Sequence, residues 1–257
     1  MREDWNYEER EHESLKNFFG VRAVMEAIKA GKEIDKVLFK TGSDGGESIQ
    51  ELFSLVRKLG IPYQFVPLEK LNRITRKNHQ GVIAMASAVE YQPITSLVPM
   101  IYEQGQDPFL VILDRVTDVR NVGAIARSAE CAGVHALIVP DRGSAPLNGD
   151  AVKTSAGALH HLPVCRSSNL KNDILFLKES GIRVVAVSEK ADLTYLQADL
   201  QGPIALLMGA EDTGISPEYL RLCHEQVSIP MAGKIASLNV SAAAAILMFE
   251  VVRRRII

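Results

Sequence analysis

The sequence predicts an α/β protein in two parts, a small mixed unit followed by a larger one built on a mainly parallel sheet. From residue 109 onward, continuous apolar runs of four or five residues alternate with amphipathic helical stretches, the pattern of strands buried on both faces by helices. Before them, residues 18–90 form a separate α/β stretch, joined through a Pro- and Gly-containing segment at 91–108, small but feasible as a domain. The 257 residues are 47% hydrophobic and 23% charged, an ordinary globular balance.

Residues 1–17 are dominated by charge, with Glu8, Glu9, Arg10, Glu11 and Glu13 in one run, and are expected to be a disordered leader. Val21, Val24, Met25 and Ile28 recur at helical spacing and Gly31 stops the helix. Val37–Phe39 reads as a strand, Ile49–Leu59 as a helix stopped by Gly60 and Pro62, and 63–66 as a strand. Residues 68–77 read as a helix and 82–86 as the last strand of the unit. In the connecting segment, Ile94, Leu97, Met100 and Ile101 predict a short helix. Strands then follow at 110–113, 136–139, 162–164, 184–187, 204–208 and 226–229, interleaved with helices at 121–132, 149–157, 169–179, 217–223 and 239–254. Ligands of such sheets bind at the carboxyl ends of the strands.

Composition excludes several classes. No apolar run reaches the ~20 residues of a membrane-spanning helix, and the charged N-terminus is no secretory signal, so a cytoplasmic protein without a membrane partner is expected. Cys131, Cys165 and Cys223 are far apart and read as buried apolar groups in a reducing compartment; no metal is expected. The net charge of −2 argues mildly against a nucleic-acid partner, since phosphate contacts need Lys and Arg. A local basic patch exists at Lys70, Arg73, Arg76, Lys77 and His79, which charge alone leaves open as a solvated helix face.

Three loops after strands concentrate polar residues and glycine. The first runs from Asp114 to Glu130: Asn121 is placed to cap a helix, Gly123 permits close backbone approach, and Arg127 supplies a planar cation near a helix N-terminus, where anions bind. A capped surface helix with an ion-paired Arg127 is equally consistent with it. The second, Met208-Gly209-Ala210-Glu211-Asp212-Thr213-Gly214, exposes main-chain groups at a strand end, suited to an adenine or ribose, although an ordinary turn has the same composition. The third, from Ile229 and Met231 through Gly233, Ser237, Leu238 and Asn239 to Ser241, opens the last helix with three polar residues, of which one is expected to cap it.

Together these segments resemble the signature motifs of the SpoU/TrmH-type branch of the SPOUT methyltransferases. They match Asn-x-Gly-x-x-x-Arg at Asn121, Gly123 and Arg127, Gly-x-Glu-x-x-Gly at Gly209, Glu211 and Gly214, and Ile-Pro-Met…Ser-Leu-Asn-Val-Ser at residues 229–241. Phe19-Gly20-Val21-Arg22 and Asn78-His79-Gln80-Gly81 resemble the small RNA-binding domain of the family's 23S ribosomal RNA guanosine methyltransferases, a domain similar to an RNA-binding ribosomal protein. The first motif departs from the family in having Val119-Arg120 where proline is common, which adds a positive charge. A Rossmann-type enzyme would instead place its Gly-rich loop after the first strand.

The resemblance implies a deep C-terminal trefoil knot, an exception to general topology rules, an obligate homodimer, and S-adenosylmethionine held around Met208, Gly209, Ala210, Ile229, Met231, Leu238 and Asn239. It implies 2′-O-ribose methylation of RNA, with Arg127 on the substrate phosphate and 2′-oxygen, as base or as stabiliser of the oxyanion. Asn121, Glu211, Ser237 and Asn239 orient the reactants. Arg22, Lys70, Arg73, Arg76, Lys77, His79, Gln80 and Arg120 are the expected RNA contacts. The N-terminal unit favours 23S rRNA; the other targets weighed are transfer RNA and a resistance site in ribosomal RNA. From another class comes a ribosome-assembly factor that has lost catalysis, against which the intact polar set argues.

Overall fold

The computed structural model describes residues 17–42 and 46–256; the expected leader, through residue 16, lies outside them. The chain divides into two compact units: residues to Val89 with Leu147–Gly149, and Glu90–Pro146 with Asp150 onward.

In the first unit β1 (Phe18–Phe19), β2 (Ile34–Lys40), β3 (Tyr63–Val66) and β4 (Val82–Ala86) form a sheet of order β1-β4-β2-β3. β4 runs antiparallel to β1 and β2, and β3 lies parallel to β2. Helices α1 (Val21–Lys29) and α2 (Glu47–Lys58) bury Val24, Ile28, Leu52 and Val56 on Val37, Phe39, Val82 and Ala84. The alternate residues Leu38 and Ile83 pack with Leu71 of α3 (Leu68–Ile74), as the two-residue period of a strand requires.

The second unit holds seven strands: β5 (Phe109–Leu113), β6 (Ala136–Pro140), β7 (Val164–Ser167), β8 (Arg183–Val187), β9 (Leu193–Thr194), β10 (Ile204–Met208) and β11 (Glu225–Ser228). Their order is β7-β6-β5-β10-β8-β11-β9, and every adjacent pair is parallel. Residues 91–108 read as a connection in the sequence, yet α4 (Ile94–Glu103) buries Ile94, Leu97, Val98 and Ile101 in the same cluster as Leu110, Ile112, Ile138 and Leu207. The periodicity located that helix but carried no information on what it packs against. α5 (Val119–Cys131), α6 (Gly149–Thr154), α7 (Leu170–Glu179), α8 (Pro217–Leu220) and α9 (Val240–Ile256) complete the unit.

Two expectations need correction. The strand placed at 162–164 begins at Val164 and continues through Cys165-Arg166-Ser167: β7 is an edge strand, and its polar residues break the apolar run. Cys165 is buried and Cys223 partly so, and burial pushes both thiols up to about 12, but Cys131 is exposed. Among the described residues no helix is long and apolar enough to cross a membrane, and no three His, Cys, Asp or Glu side chains gather as a metal site.

The final helix ends in an ionic clasp. Buried Glu250 accepts from Arg253 Nε and from Arg254 Nε at 2.8 and 2.7 Å, and Arg254 also donates to the carbonyls of Tyr195, Leu196 and Ala198. Hydrogen bonds from Arg253, then from Arg254, hold the Glu250 carboxyl at about 2, below the ordinary 4.5. A carboxylate depressed in the fold stabilises it fully above its unfolded value, and the contribution fades as pH falls from about 4.5 toward 2. The melting temperature is therefore expected to drop through that window, and Glu250→Gln to melt lower at pH 7 but with a shallower acid slope. Equal slopes for the two proteins would exclude Glu250 as a source of the acid sensitivity.

Candidate active site

The carboxyl ends of β5, β10, β8 and β11 are neighbours in the sheet, and the three sequence motifs leave from there. β10 ends at Met208, and Ala210 and Gly214 then exchange both main-chain hydrogen bonds, at 3.2 and 2.9 Å, around the turn Glu211-Asp212-Thr213. Gly214 has φ 66°, a conformation glycine adopts without steric cost. At Gly209 the limit is space: a Cβ there would lie 2.4 Å from Gly214 C and from Ile215 N.

Asp118 caps α5, accepting from Arg120 N at 2.8 Å. This corrects the expectation that Asn121 is the cap. Asn121 lies inside the first turn, buried, and its amide does something else. Its Nδ2 donates to Glu211 Oε1, and its Oδ1 accepts from Asn239 Nδ2 at 3.0 Å. Asn239 in turn accepts from Ser241 N and Ser241 Oγ at 2.9 and 2.6 Å, at the start of α9. The three motifs, up to 118 residues apart in sequence, are thus joined by one chain of side-chain hydrogen bonds. An amide can bridge a carboxylate and a second amide because it donates from one end and accepts at the other.

Beside this chain opens a cavity of about 150 Å³, continuous with solvent, a concave site at the strand ends where small molecules bind. Met208, Gly209, Ala210, Glu211, Ile229, Met231, Ser237 and Leu238 all line it. So do Val187, Ser188, Glu189 and Lys190 at the end of β8, which the sequence reading missed because that loop carries no glycine motif. The ionisable side chains on its walls are Glu189, Lys190, Glu211 and Asp212. Three carboxylates against one lysine disfavour a phosphate-bearing cofactor and favour a cation. Apolar Ile229, Met231 and Leu238 suit an aromatic base, and the exposed strand end offers main-chain partners for it. An adenosine carrying a sulfonium and an ammonium group fits this donor set; a dinucleotide does not.

Comparison with known proteins decides the family. Residues 108–249 match the SpoU rRNA methylase family, and residues 18–92 match the RNA 2′-O ribose methyltransferase substrate-binding domain. The chain belongs to the SpoU rRNA methylase family. It is 37% identical to the 23S rRNA (guanosine-2′-O-)-methyltransferase of Escherichia coli, over 92% of this chain and 98% of that protein. It is 36% identical to a Bacillus subtilis protein assigned to the TrmH family of tRNA/rRNA methyltransferases, over 92% and 94%. The SpoU methyltransferase AviRb of Streptomyces viridochromogenes, crystallised with AdoMet, superposes with a TM-score of 0.58 at 28% identity, covering 93% of this chain and 90% of that one. The chain is accordingly an S-adenosylmethionine-dependent RNA 2′-O-ribose methyltransferase.

In this SpoU enzyme Arg127 stands apart from the polar chain. It is exposed, makes no hydrogen bond or ion pair among the described residues, and does not line the cavity. The alternative of an ion-paired surface arginine therefore fails. Six residues separate Arg127 from Asn121, about 240° around an α-helix, so the two side chains leave from different faces. Arg120 is exposed but engaged, pairing with Asp118 at 2.8 Å.

The SpoU substrate-binding unit sorts the expected RNA contacts into two groups. Arg22, Lys70, Arg73, Arg76 and Lys77 are exposed, and Lys77 also lies over the Phe19 ring. His79 and Gln80, in contrast, serve the fold. His79 is buried; its Nδ1 accepts from Gly81 N and its Nε2 bonds Asn72 Oδ1, both at 3.0 Å. Gln80, at φ 50°, accepts from Val21 N at 3.2 Å, occupying one of the free N–H groups that open α1. The His-Gln-Gly element is a turn that ties β4 to α1.

Proposed function

We propose that this methyltransferase modifies the 2′-oxygen of a guanosine in 23S ribosomal RNA. The observation that carries the reading is correspondence at 37% identity along nearly the whole length of an enzyme named for that reaction, the substrate-binding unit included. In this reading Arg22, Lys70, Arg73, Arg76, Lys77 and Arg120 meet RNA phosphates, and the protein works in the cytoplasm, where that RNA is.

When bound, S-adenosylmethionine supplies an electrophilic methyl group on a positively charged sulfur. Met208, Gly209, Ala210, Ile229, Met231 and Leu238 would hold its adenosine, and the carboxylates of the cavity would balance its positive charge. Asn121 and Asn239 fix Glu211, which with Ser237 orients the ribose. The methyl group would pass from sulfur to the 2′-oxygen, the sulfur–methyl bond breaking to leave S-adenosylhomocysteine and the hydroxyl proton passing to water. Arg127 would hold the adjoining phosphate and steady the negative charge on that oxygen. In this reading the role of Arg127 is electrostatic.

The reading includes a homodimer and a knot. Ile246 and Phe249 on α9 are 37% and 49% exposed in one protomer, an apolar stripe that a second copy would cover. Since Arg127 leaves from a different face than Asn121, pairing is also the route by which it meets a cavity, that of the partner. The knot is supported by the placement of β10 between β5 and β8, with α9 packed on α5 and β10.

The test is incubation of the purified protein with labelled S-adenosylmethionine and, separately, 23S rRNA, intact ribosomal subunits and transfer RNA, followed by mapping of 2′-O-methyl groups. Label at one guanosine of 23S rRNA is expected. Label confined to transfer RNA, or to another nucleotide type, would overturn the target; no label on any RNA would favour an assembly factor.

A further inference from the structure

The cavity wall formed by the 209–214 hairpin is held from behind by residues outside the motifs. Asp114, 2% exposed, follows β5 directly, and its N donates to Met208 O at 2.8 Å. Its carboxylate accepts three hydrogen bonds: Arg115 Nε at 3.0 Å, an Arg115 terminal nitrogen at 3.2 Å, and Ser216 N at 2.6 Å. The same terminal nitrogen of Arg115 donates to Gly214 O at 3.1 Å. Arg115 and Asp114 therefore grip the hairpin at its return strand, on both sides of Ile215, which lines the cavity.

The backbone of Arg115 adds an independent observation. Its φ is 59°, in the left-handed region where a residue bearing a Cβ is strained and glycine is not. A long cationic side chain is held in a glycine-like position while its Nε and one terminal nitrogen are engaged. Strain of this kind persists where surrounding contacts over-determine it, and here those contacts lead to the cofactor wall. The side chain also lies against Gly143, whose Cβ would stand 3.6 Å from Arg115 Cγ.

We propose that Arg115 is a positioning residue for the methyl donor: by clasping Asp114 and the Gly214 carbonyl it sets the hairpin that carries Gly209 and Glu211. The proposal rests on the reading that this cavity takes S-adenosylmethionine. It assigns Arg115 no contact with the reacting atoms, so its removal acts on donor binding more than on the transfer itself.

Three variants separate the clasp from the strain. Arg115→Ala keeps the strain and loses the clasp, Arg115→Gly loses both, and Arg115→Lys keeps one donor for Gly214 O. Calorimetric titration with S-adenosylmethionine is expected to show about tenfold weaker binding for the alanine and glycine variants, and recovery of most of it with lysine. Arg115→Gly should melt above Arg115→Ala, and in steady state the loss should fall on KM for the donor with kcat changed less than about threefold. Wild-type affinity in Arg115→Gly, or a lysine variant as weak as alanine, would overturn the proposal. Gly209→Ala in the same series tells its failure from failure of the cavity reading. If Gly209→Ala alone abolishes binding, Arg115 is not a positioner. If neither position matters, the donor binds elsewhere.

Discussion

Gly209→Ala is expected to weaken S-adenosylmethionine binding by at least a hundredfold while the protein remains folded. The added methyl would sit 2.4 Å from two main-chain atoms, Gly214 C and Ile215 N, and 2.8 Å from Gly214 O. Main-chain atoms do not swing aside as a side-chain end does, and these are tied down: Gly214 by its paired bonds to Ala210 and by Arg115, and the following turn by Asp114 on Ser216. Relief therefore requires the hairpin to lift as a unit, and overpacking of this sort costs typically 1–3 kcal/mol. The hairpin is a wall of the cavity, so its displacement is felt there first; a hundredfold loss corresponds to about 2.8 kcal/mol. Titration calorimetry measures the affinity, and far-ultraviolet circular dichroism with a thermal melt checks the fold. A Gly209→Ala protein that folds and binds the donor as tightly as wild type would show that the hairpin does not bound the donor site.

Gly209 also shows where sequence reading succeeds. The apolar run Ile204–Met208 ends abruptly in Gly-Ala-Glu, and a buried parallel strand followed by glycine places that glycine at the ligand-binding edge of the sheet. Strands 82–86 and 204–208 fall where their apolar residues place them, because burial on a sheet demands that composition. Relations over long distances were not legible. Asp114 lies 102 residues from Ser216, and nothing in either neighbourhood announces that one carboxylate gathers Arg115 and a distant N–H. Asn121 and Asp118 are both good caps; only packing decides that the first turns inward while the second caps. His79 and Gln80 sit beside a basic patch and share its polarity, so sequence groups them with it, whereas the turn uses their side chains internally.

Arg127→Ala is expected to lower methyl transfer by roughly 10²–10³-fold, the usual loss when one charge-stabilising donor is removed from an acyl- or group-transfer site. Donor affinity should remain at the wild-type value, because Arg127 does not line the cavity in its own protomer. Arg127→Lys should restore only part of the rate, since an ammonium is a point charge without the two-pronged fit to phosphate. Single-turnover transfer and titration calorimetry separate the two quantities; normal turnover in Arg127→Ala would remove the residue from the mechanism. The geometry of α5 makes a sharper demand. If Arg127 serves the cavity of the partner, then Arg127→Ala and Gly209→Ala damage opposite halves of one composite site. A mixed dimer of the two variants contains one site with both parts intact, so equal co-expression should return roughly a quarter of wild-type activity from two proteins inactive alone. If Arg127 serves its own protomer, every site in every dimer carries a lesion and mixing restores nothing. Activity in the mixture would thus establish both the pairing of protomers and the direction in which this arginine reaches, while its absence would return Arg127 to the cavity of its own chain and require α5 to turn when RNA binds.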